Sequence, residues 1–336
     1  MRLPKFDYFE VKDIEEALKL LNEHQPKARV MAGGTDLLPL LKQRVIHPLK
    51  VINIKGIPGL SEVRFDPQEG LTLSALCTLS DLNTFPLIRE RFPVLAEAAG
   101  LVGSPQIRNM ATLGGNICLD TRCFYYNQSD YWRKSLSSLC IKFGGKQCHV
   151  VRKSERCQAV YSADMGPVLL ALGVEAKVCS LKGERTIPLV DFFTYNGKTP
   201  TILQPNEILT HFRIPPLDHW GGAYLKLRLR KSIDFPLASA AAIVAVDPSN
   251  GRCISARVAL GGVASGPVWV KEAPEILIGK RLEKKLAEKA GKAAFDVVNP
   301  ISNVGSSPLY RRKACMKLVE RAILQAWSSI KHSGSE

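Results

Sequence analysis

No uninterrupted apolar run in the 336 residues approaches the roughly 20 that a membrane-spanning helix requires. The opening stretch Met1-Arg2-Leu3-Pro4-Lys5-Phe6-Asp7 also lacks the apolar core of a secretory signal, so the expected compartment is the cytoplasm, with no membrane partner. No C-x-x-C pair occurs among the nine cysteines, which argues against paired-knuckle zinc modules. An odd cysteine count without an export signal argues against a disulfide framework. The spacing G-x-G-x-x-G is absent, and with it the ordinary Rossmann dinucleotide site. No Ser/His/Asp grouping or paired carboxylate stands out, so no hydrolytic chemistry is expected. Acidic residues are the scarcer sign, 31 against 46 basic ones, leaving a formal charge of +15. That excess is scattered, and no helix-turn-helix, zinc-finger or RNP-like pattern accompanies it, so nucleic acid is not an expected partner. An anionic cofactor, an acidic redox partner or an acidic neighbouring subunit would each account for it.

What is present is an ordinary globular composition, 46% hydrophobic and 23% charged, at a length that suggests two or three domains. Residues 13–23 read as an amphipathic helix with Asp13 as N-cap. Arg29–Ala32 reads as a strand running into Gly33-Gly34-Thr35-Asp36-Leu37, followed by a helix over Leu38–Val45 and a strand over Lys50–Ile54. Phosphate loops usually sit at the end of a strand in this way. Leu71–Ala75 alternates as a strand, and Ser80–Asn83 and Leu87–Gly100 look helical. Beyond a cysteine-rich segment, Met165–Leu172 reads as a helix and Glu175–Leu181 as a strand. From about Pro188 the pattern becomes strands and then helices: strands at Thr210–Ile214, Gly222–Arg228, Ser239–Val246 and Ile254–Gly261, helices at Leu282–Asp296 and Leu309–Ile330.

Two glycine pairs carry the first chemical signal. In Ala32-Gly33-Gly34-Thr35-Asp36 and in Ala111-Thr112-Leu113-Gly114-Gly115-Asn116, a small hydroxyl residue adjoins paired glycines, which let backbone N–H groups approach a phosphate. Two such loops could grip a pyrophosphate from both sides. The second signal is Cys123, Cys140, Cys148 and Cys157, separated by 16, 7 and 8 residues. This matches neither a zinc module nor a ferredoxin run. On spacing alone, four ligands to one cubane and four unrelated thiols both remain open. The segment is poor in aliphatic residues, and a cluster would supply the core it lacks.

With Ser162-Ala163-Asp164 downstream, the two loops resemble the FAD-binding medium subunit of the molybdenum hydroxylases, the xanthine dehydrogenase and carbon monoxide dehydrogenase family. The resemblance covers nearly the whole chain, more loosely in the C-terminal half through Pro205-Asn206-Glu207-Ile208-Leu209 and Ile214-Pro215. It implies an α+β chain with a vanillyl-alcohol-oxidase-type FAD-binding fold. The subdomains would be residues 1–57 and 58–181, with an insertion at about 118–160 and a C-terminal α+β domain over 182–332. It also implies that the FAD pyrophosphate is held by Val30, Met31, Ala32, Gly33, Gly34, Thr35, Asp36 and Leu37, together with Ala111, Thr112, Gly114, Gly115 and Asn116. Asp164 would face the flavin nucleotide, or cap the helix that follows it. Lys198-Thr199, Ile202 and Lys226 would run past the isoalloxazine ring, although Pro200-Thr201 departs from the family pattern.

Within the family, Cys118-Leu119-Asp120-Thr121-Arg122-Cys123, Tyr126-Asn127-Gln128 and Cys148-His149-Val150 resemble the β subunit of 4-hydroxybenzoyl-CoA reductase. There the insertion carries an extra [4Fe–4S] cluster, which implies Cys123, Cys140, Cys148 and Cys157 as ligands. Cys118 would be a fifth, non-ligating cysteine and His149 a surface residue. The implied partners are a large molybdenum-cofactor subunit, a small [2Fe–2S] subunit and a ferredoxin-like donor. A flavin subunit of an NAD-linked hydroxylase and a zinc-stabilised binding module are the alternatives. Residues 122–157 hold eight Lys or Arg against two acids, which reads either as a solvated loop or as a field offsetting an anionic cluster and attracting an acidic ferredoxin.

Overall fold

The computed structural model describes residues 2–136, 138–302 and 305–332. Three strands, β1 (Asp7–Glu10), β2 (Ala28–Met31) and β3 (Lys50–Asn53), form a parallel sheet in the order β1-β3-β2, with Lys50 opposite both Asp7 and Ala28. The helix Ile14–His24 makes the first crossover; the Asp13 carboxylate accepts the Glu16 N–H at 2.8 Å, and Ala17, Leu18 and Leu21 face Val11 and Ile52. Parallel pairing puts the end of β2, and with it Gly33, at one edge of a covered sheet.

A second sheet is antiparallel and mixes distant parts of the chain. It comprises β4 (Val63–Asp66), β5 (Gly70–Ser74), β6 (Glu175–Ser180), β7 (Gly183–Pro188) and β8 (Ile208–Ile214), in the order β4-β5-β8-β6-β7. Leu71, Leu73 and Phe212 of its inner face join Leu95 and Leu169 of the helices Pro93–Gly100 and Met165–Leu172 in the largest core. Here the sequence boundary at residue 182 is corrected: β7 and β8 do not belong with the C-terminal strands, because β8 completes the ladder between β5 and β6. The single helix expected over Leu87–Gly100 is also two, Pro86–Arg91 and Pro93–Gly100, because Pro93 has no N–H to continue the first.

The third sheet, β9 (Trp220–Leu227), β10 (Ala238–Val246), β11 (Cys253–Gly261) and β12 (Val268–Trp269), is antiparallel in the order β12-β11-β10-β9. Its alanine-rich face (Ala238, Ala240, Ala242) lets the helix Pro308–His332 pack closely against it, and the helix Lys284–Val297 packs on that helix. Among the described residues no helix is long and apolar enough to cross a membrane.

Candidate functional site

The first glycine loop leaves β2 and runs directly beneath the backbone of Met110. A side chain on Gly33 would collide with the Met110 carbonyl, and Gly34 has φ +70°, a left-handed conformation that favours glycine. The N–H groups of Gly33, Gly34, Thr35, Asp36 and Leu37 have no protein acceptor among the described residues. Five consecutive unpaired amides on a half-buried turn, with the Thr35 hydroxyl beside them, are a donor set suited to an anion. Val30 and Met31 stay in β2, where the Met31 carbonyl accepts the Ile54 N–H at 3.0 Å. The side chain of Asp36 turns away from the loop: one oxygen takes the Arg122 guanidinium at 2.6 Å and the other the Asp120 N–H at 3.4 Å. Burial pushes the Asp36 carboxyl up, against the opposing pull of Arg122.

The second loop is built differently from its sequence likeness to the first. Gly114 N–H donates to the Ala75 carbonyl at 2.8 Å, and Gly115 N–H donates to the Thr112 hydroxyl at 3.1 Å, capping the five-residue helix Leu113–Ile117. The glycines therefore permit close packing, and their amides are already used. Ala111 gives its carbonyl to Leu79 N–H, while the Asn116 side chain accepts the Met165 N–H at 3.2 Å and so caps the next helix. Of this loop, Thr112 N–H keeps no protein acceptor among the described residues.

Asp164 precedes that helix but makes no side-chain cap. One oxygen receives the Tyr224 hydroxyl at 2.6 Å and the other the Lys226 ammonium at 2.8 Å, with both charged side chains almost fully buried. Burial pushes the Asp164 carboxyl up, and Lys226 and Tyr224 oppose that rise. Lys226 also donates to the Leu101 carbonyl at 2.9 Å, fixing β9 against the end of the Pro93–Gly100 helix. Ile202 donates its N–H to Phe192 O at 3.0 Å and packs on the main core. Nearby, Gly197 N–H donates to the Cys157 carbonyl at 2.8 Å, so the segment around Lys198 and Thr199 lies against the cysteine insertion.

The insertion is closed at its neck by reciprocal hydrogen bonds between Arg122 and Val160, each 2.8 Å. Inside it, Cys123, Cys140, Cys148 and Cys157 all line one pocket, with Tyr126, Lys142 and His149. Between Cys140 and Cys148 the chain turns through Gly144 (φ +94°) and Gly145, where a side chain would collide with the Leu139 carbonyl; this turn brings the two sulfurs to one side. Burial pushes the Cys123 thiol up, and the neighbouring Cys148 and Cys140 sulfurs push the same way against the N–H groups of Tyr126 and Tyr125. Burial likewise raises Cys157, opposed by Ala159 N–H and the Lys142 charge. The Cys148 sulfur accepts the Val151 N–H at 3.5 Å. Among the described residues no three or more His, Cys, Asp or Glu stand close enough for a single metal ion. A cube spreads its ligands more widely than the tetrahedral zinc ion does.

Cys118 lies outside this pocket, as the residue ending the helix Leu113–Ile117. His149, expected as a surface residue, is half-exposed: its ring stacks on Tyr125 with centroids 5.1 Å apart, and Nε2 is 3.1 Å from the Ser138 carbonyl. The basic residues divide as well. Lys134, Lys146, Arg152, Lys153 and Arg156 are exposed, whereas Arg133 is 4% exposed and tied to the carbonyls of Tyr126, Gln128 and Arg44. Lys142 is buried too. Its only sequence signal is its position between Ile141 and Phe143, two apolar neighbours beside a cysteine.

The α+β architecture is that of a FAD-binding domain of the vanillyl-alcohol-oxidase type followed by a C-terminal α+β domain. Residues 4–217 match the FAD binding domain in molybdopterin dehydrogenase, and residues 223–326 the CO dehydrogenase flavoprotein C-terminal domain. The chain belongs to the FAD-binding medium-subunit family of the molybdenum hydroxylases and is an oxidoreductase subunit. It is 30% identical to subunit alpha of the 6-hydroxypseudooxynicotine dehydrogenase complex of Paenarthrobacter nicotinovorans, over 97% of this chain and 96% of that one. It is 36% identical to the aldehyde oxidoreductase FAD-binding subunit PaoB of Escherichia coli, over 80% and 85%. The carbon monoxide dehydrogenase structure from Hydrogenophaga pseudoflava superposes with a TM-score of 0.80 at 27% identity, covering 98% of this chain and 99% of that one. Membership of a flavin-binding family removes the alternative of a zinc-stabilised module with no redox role.

Proposed function

We propose that this chain is the FAD- and [4Fe–4S]-carrying subunit of a complex similar to 4-hydroxybenzoyl-CoA reductase. It assembles with a large molybdenum-cofactor subunit and a small [2Fe–2S] subunit, and its external partner is a ferredoxin-like carrier. The observation supporting this reading is the convergence of Cys123, Cys140, Cys148 and Cys157 on one pocket inside the insertion. FAD is held by the free amides of residues 33–37 and by Thr112; the cluster is held by the four cysteines. When bound, a cube carries one electron at a time and a flavin exchanges one- and two-electron steps, the combination that ferredoxin-driven removal of a phenolic hydroxyl requires.

The surface of the insertion suits the carrier. Phe124, Tyr131, Leu139 and Val151 are exposed there, as are Lys134, Lys146, Arg152, Lys153 and Arg156. Exposed apolar and cationic side chains on one segment suit a small acidic protein. The test is to reconstitute the three-subunit complex and follow 4-hydroxybenzoyl-CoA reduction with reduced ferredoxin. Turnover supports the reading, and a complex that is inert with this pair but reduces NAD would replace it. That second reading is a flavin subunit of an NAD-linked hydroxylase.

A further inference from the structure

Among the described residues Lys142 is the one lysine lining the cysteine pocket, and its side chain is 5% exposed. Lysine is rarely buried so deeply unless its charge is satisfied. Here it donates to the Asp120 carboxylate at 2.6 Å, to the Thr121 carbonyl at 2.9 Å and to the Thr121 hydroxyl at 2.5 Å, and it lies 4.6 Å from the centre of the Tyr126 ring. Three donors with three acceptors hold the ammonium in one place. Thr121 in turn donates to the Gly197 carbonyl at 2.5 Å, and Gly197 N–H donates to the Cys157 carbonyl. The cation is thus fixed to both ends of the insertion's neck.

We propose that Lys142 is a positioning residue that raises the reduction potential of the cluster held by Cys123, Cys140, Cys148 and Cys157; the proposal rests on the cluster reading above. The compensating anion is placed unequally. Asp120 does not line the pocket and its side chain is 28% exposed, so water screens it, whereas Lys142 lines the pocket with a side chain that is 5% exposed, and its charge acts on Cys157. Adding one electron to a thiolate-bound cube adds one negative charge at the pocket. A fixed cation in its wall therefore favours the reduced form, and the partial cancellation by Asp120 sets how far. Arg133 is not equivalent, because its guanidinium lies over the outer ring Phe143 and is spent on carbonyls.

The test is an anaerobic redox titration of the full chain, followed by EPR of the reduced cluster, with iron and sulfide counted in each sample. In Lys142→Met the ratio of reduced to oxidised cluster at the wild-type midpoint falls at least tenfold, a downward shift of about 59 mV for a one-electron couple. Lys142→Arg restores the ratio to within about threefold of wild type. Asp120→Asn moves it upward, the direction a purely structural role does not give. An intact cluster in Lys142→Met with an unchanged midpoint overturns the proposal alone. Where Lys142→Met holds no cluster, Asp120→Asn decides: an upward shift supports the proposal, and no shift or a downward one overturns it. A wild-type chain without iron overturns the cluster reading and this proposal with it.

Discussion

Replacing Gly33 with alanine places a methyl carbon 2.5 Å from the carbonyl carbon of Met110 and closer still to its oxygen. Ordinary carbon–carbon contacts lie at about 3.5–4.0 Å, so the two strands of backbone must part by about 1 Å. No flexible side chain can yield in their place, because the obstacle is main chain. Overpacking of this kind costs about 1–3 kcal/mol of stability. The larger effect falls on the flavin. Moving the loop by that distance breaks the alignment of the 33–37 amides with a common anion. Losing two charge-assisted bonds, each worth about 1.5–3 kcal/mol, corresponds to about 3–6 kcal/mol and so to a hundredfold to ten-thousandfold weaker binding. The assay is FAD fluorescence titration of deflavinated Gly33→Ala protein, with circular dichroism to show that the fold persists. Alanine at this position with wild-type FAD affinity would refute the assignment of the loop.

Other outcomes follow from the same geometry. Asp164→Asn leaves the buried Lys226 without its anion and should cost about 3–5 kcal/mol in urea unfolding; a loss below about 1 kcal/mol would mean that the pair is unimportant. Gly145→Ala disrupts the turn between Cys140 and Cys148, so iron content should drop while FAD is retained; simultaneous loss of both would contradict their separate attachment. Asp36→Asn removes the 2.6 Å ion pair with Arg122 and should make the 122–160 neck more sensitive to limited proteolysis, with a stability cost of about 1–3 kcal/mol. Reduction by an acidic carrier should slow as ionic strength rises, and a salt-independent rate would remove the docking role of the exposed basic residues.

Much of the fold was legible where local signals decide it: the helix Met165–Leu172, the paired glycines at the end of β2 and the strands flanking Asp247 to Gly251. The joining of β7 and β8 to β4, β5 and β6 was not, because a ladder between residues 71–74 and 211–214 leaves no local mark on either segment. Glycine spacing identified both loops but not their difference. Whether an amide is free depends on what packs beside it: Ala75 takes the Gly114 N–H, whereas among the described residues nothing takes that of Gly33. The basic residues of the insertion carried an analogous ambiguity. Composition treats all eight as surface charge, yet Lys142 and Arg133 are interior ties whose carbonyl and carboxylate acceptors come from other turns of the chain. Asp164 and Lys226 were each legible as candidates, but their pairing across 62 positions was not.

The most direct measurement is the count of iron, acid-labile sulfide and FAD in the isolated wild-type chain purified without oxygen, set beside the Cys140→Ser variant. About four irons and four sulfides per chain beside one FAD are expected for a single cube, with iron falling sharply and FAD unchanged in the variant. A chain that retains its flavin but carries less than about one iron, in wild type and variant alike, would contradict a cluster on these four cysteines.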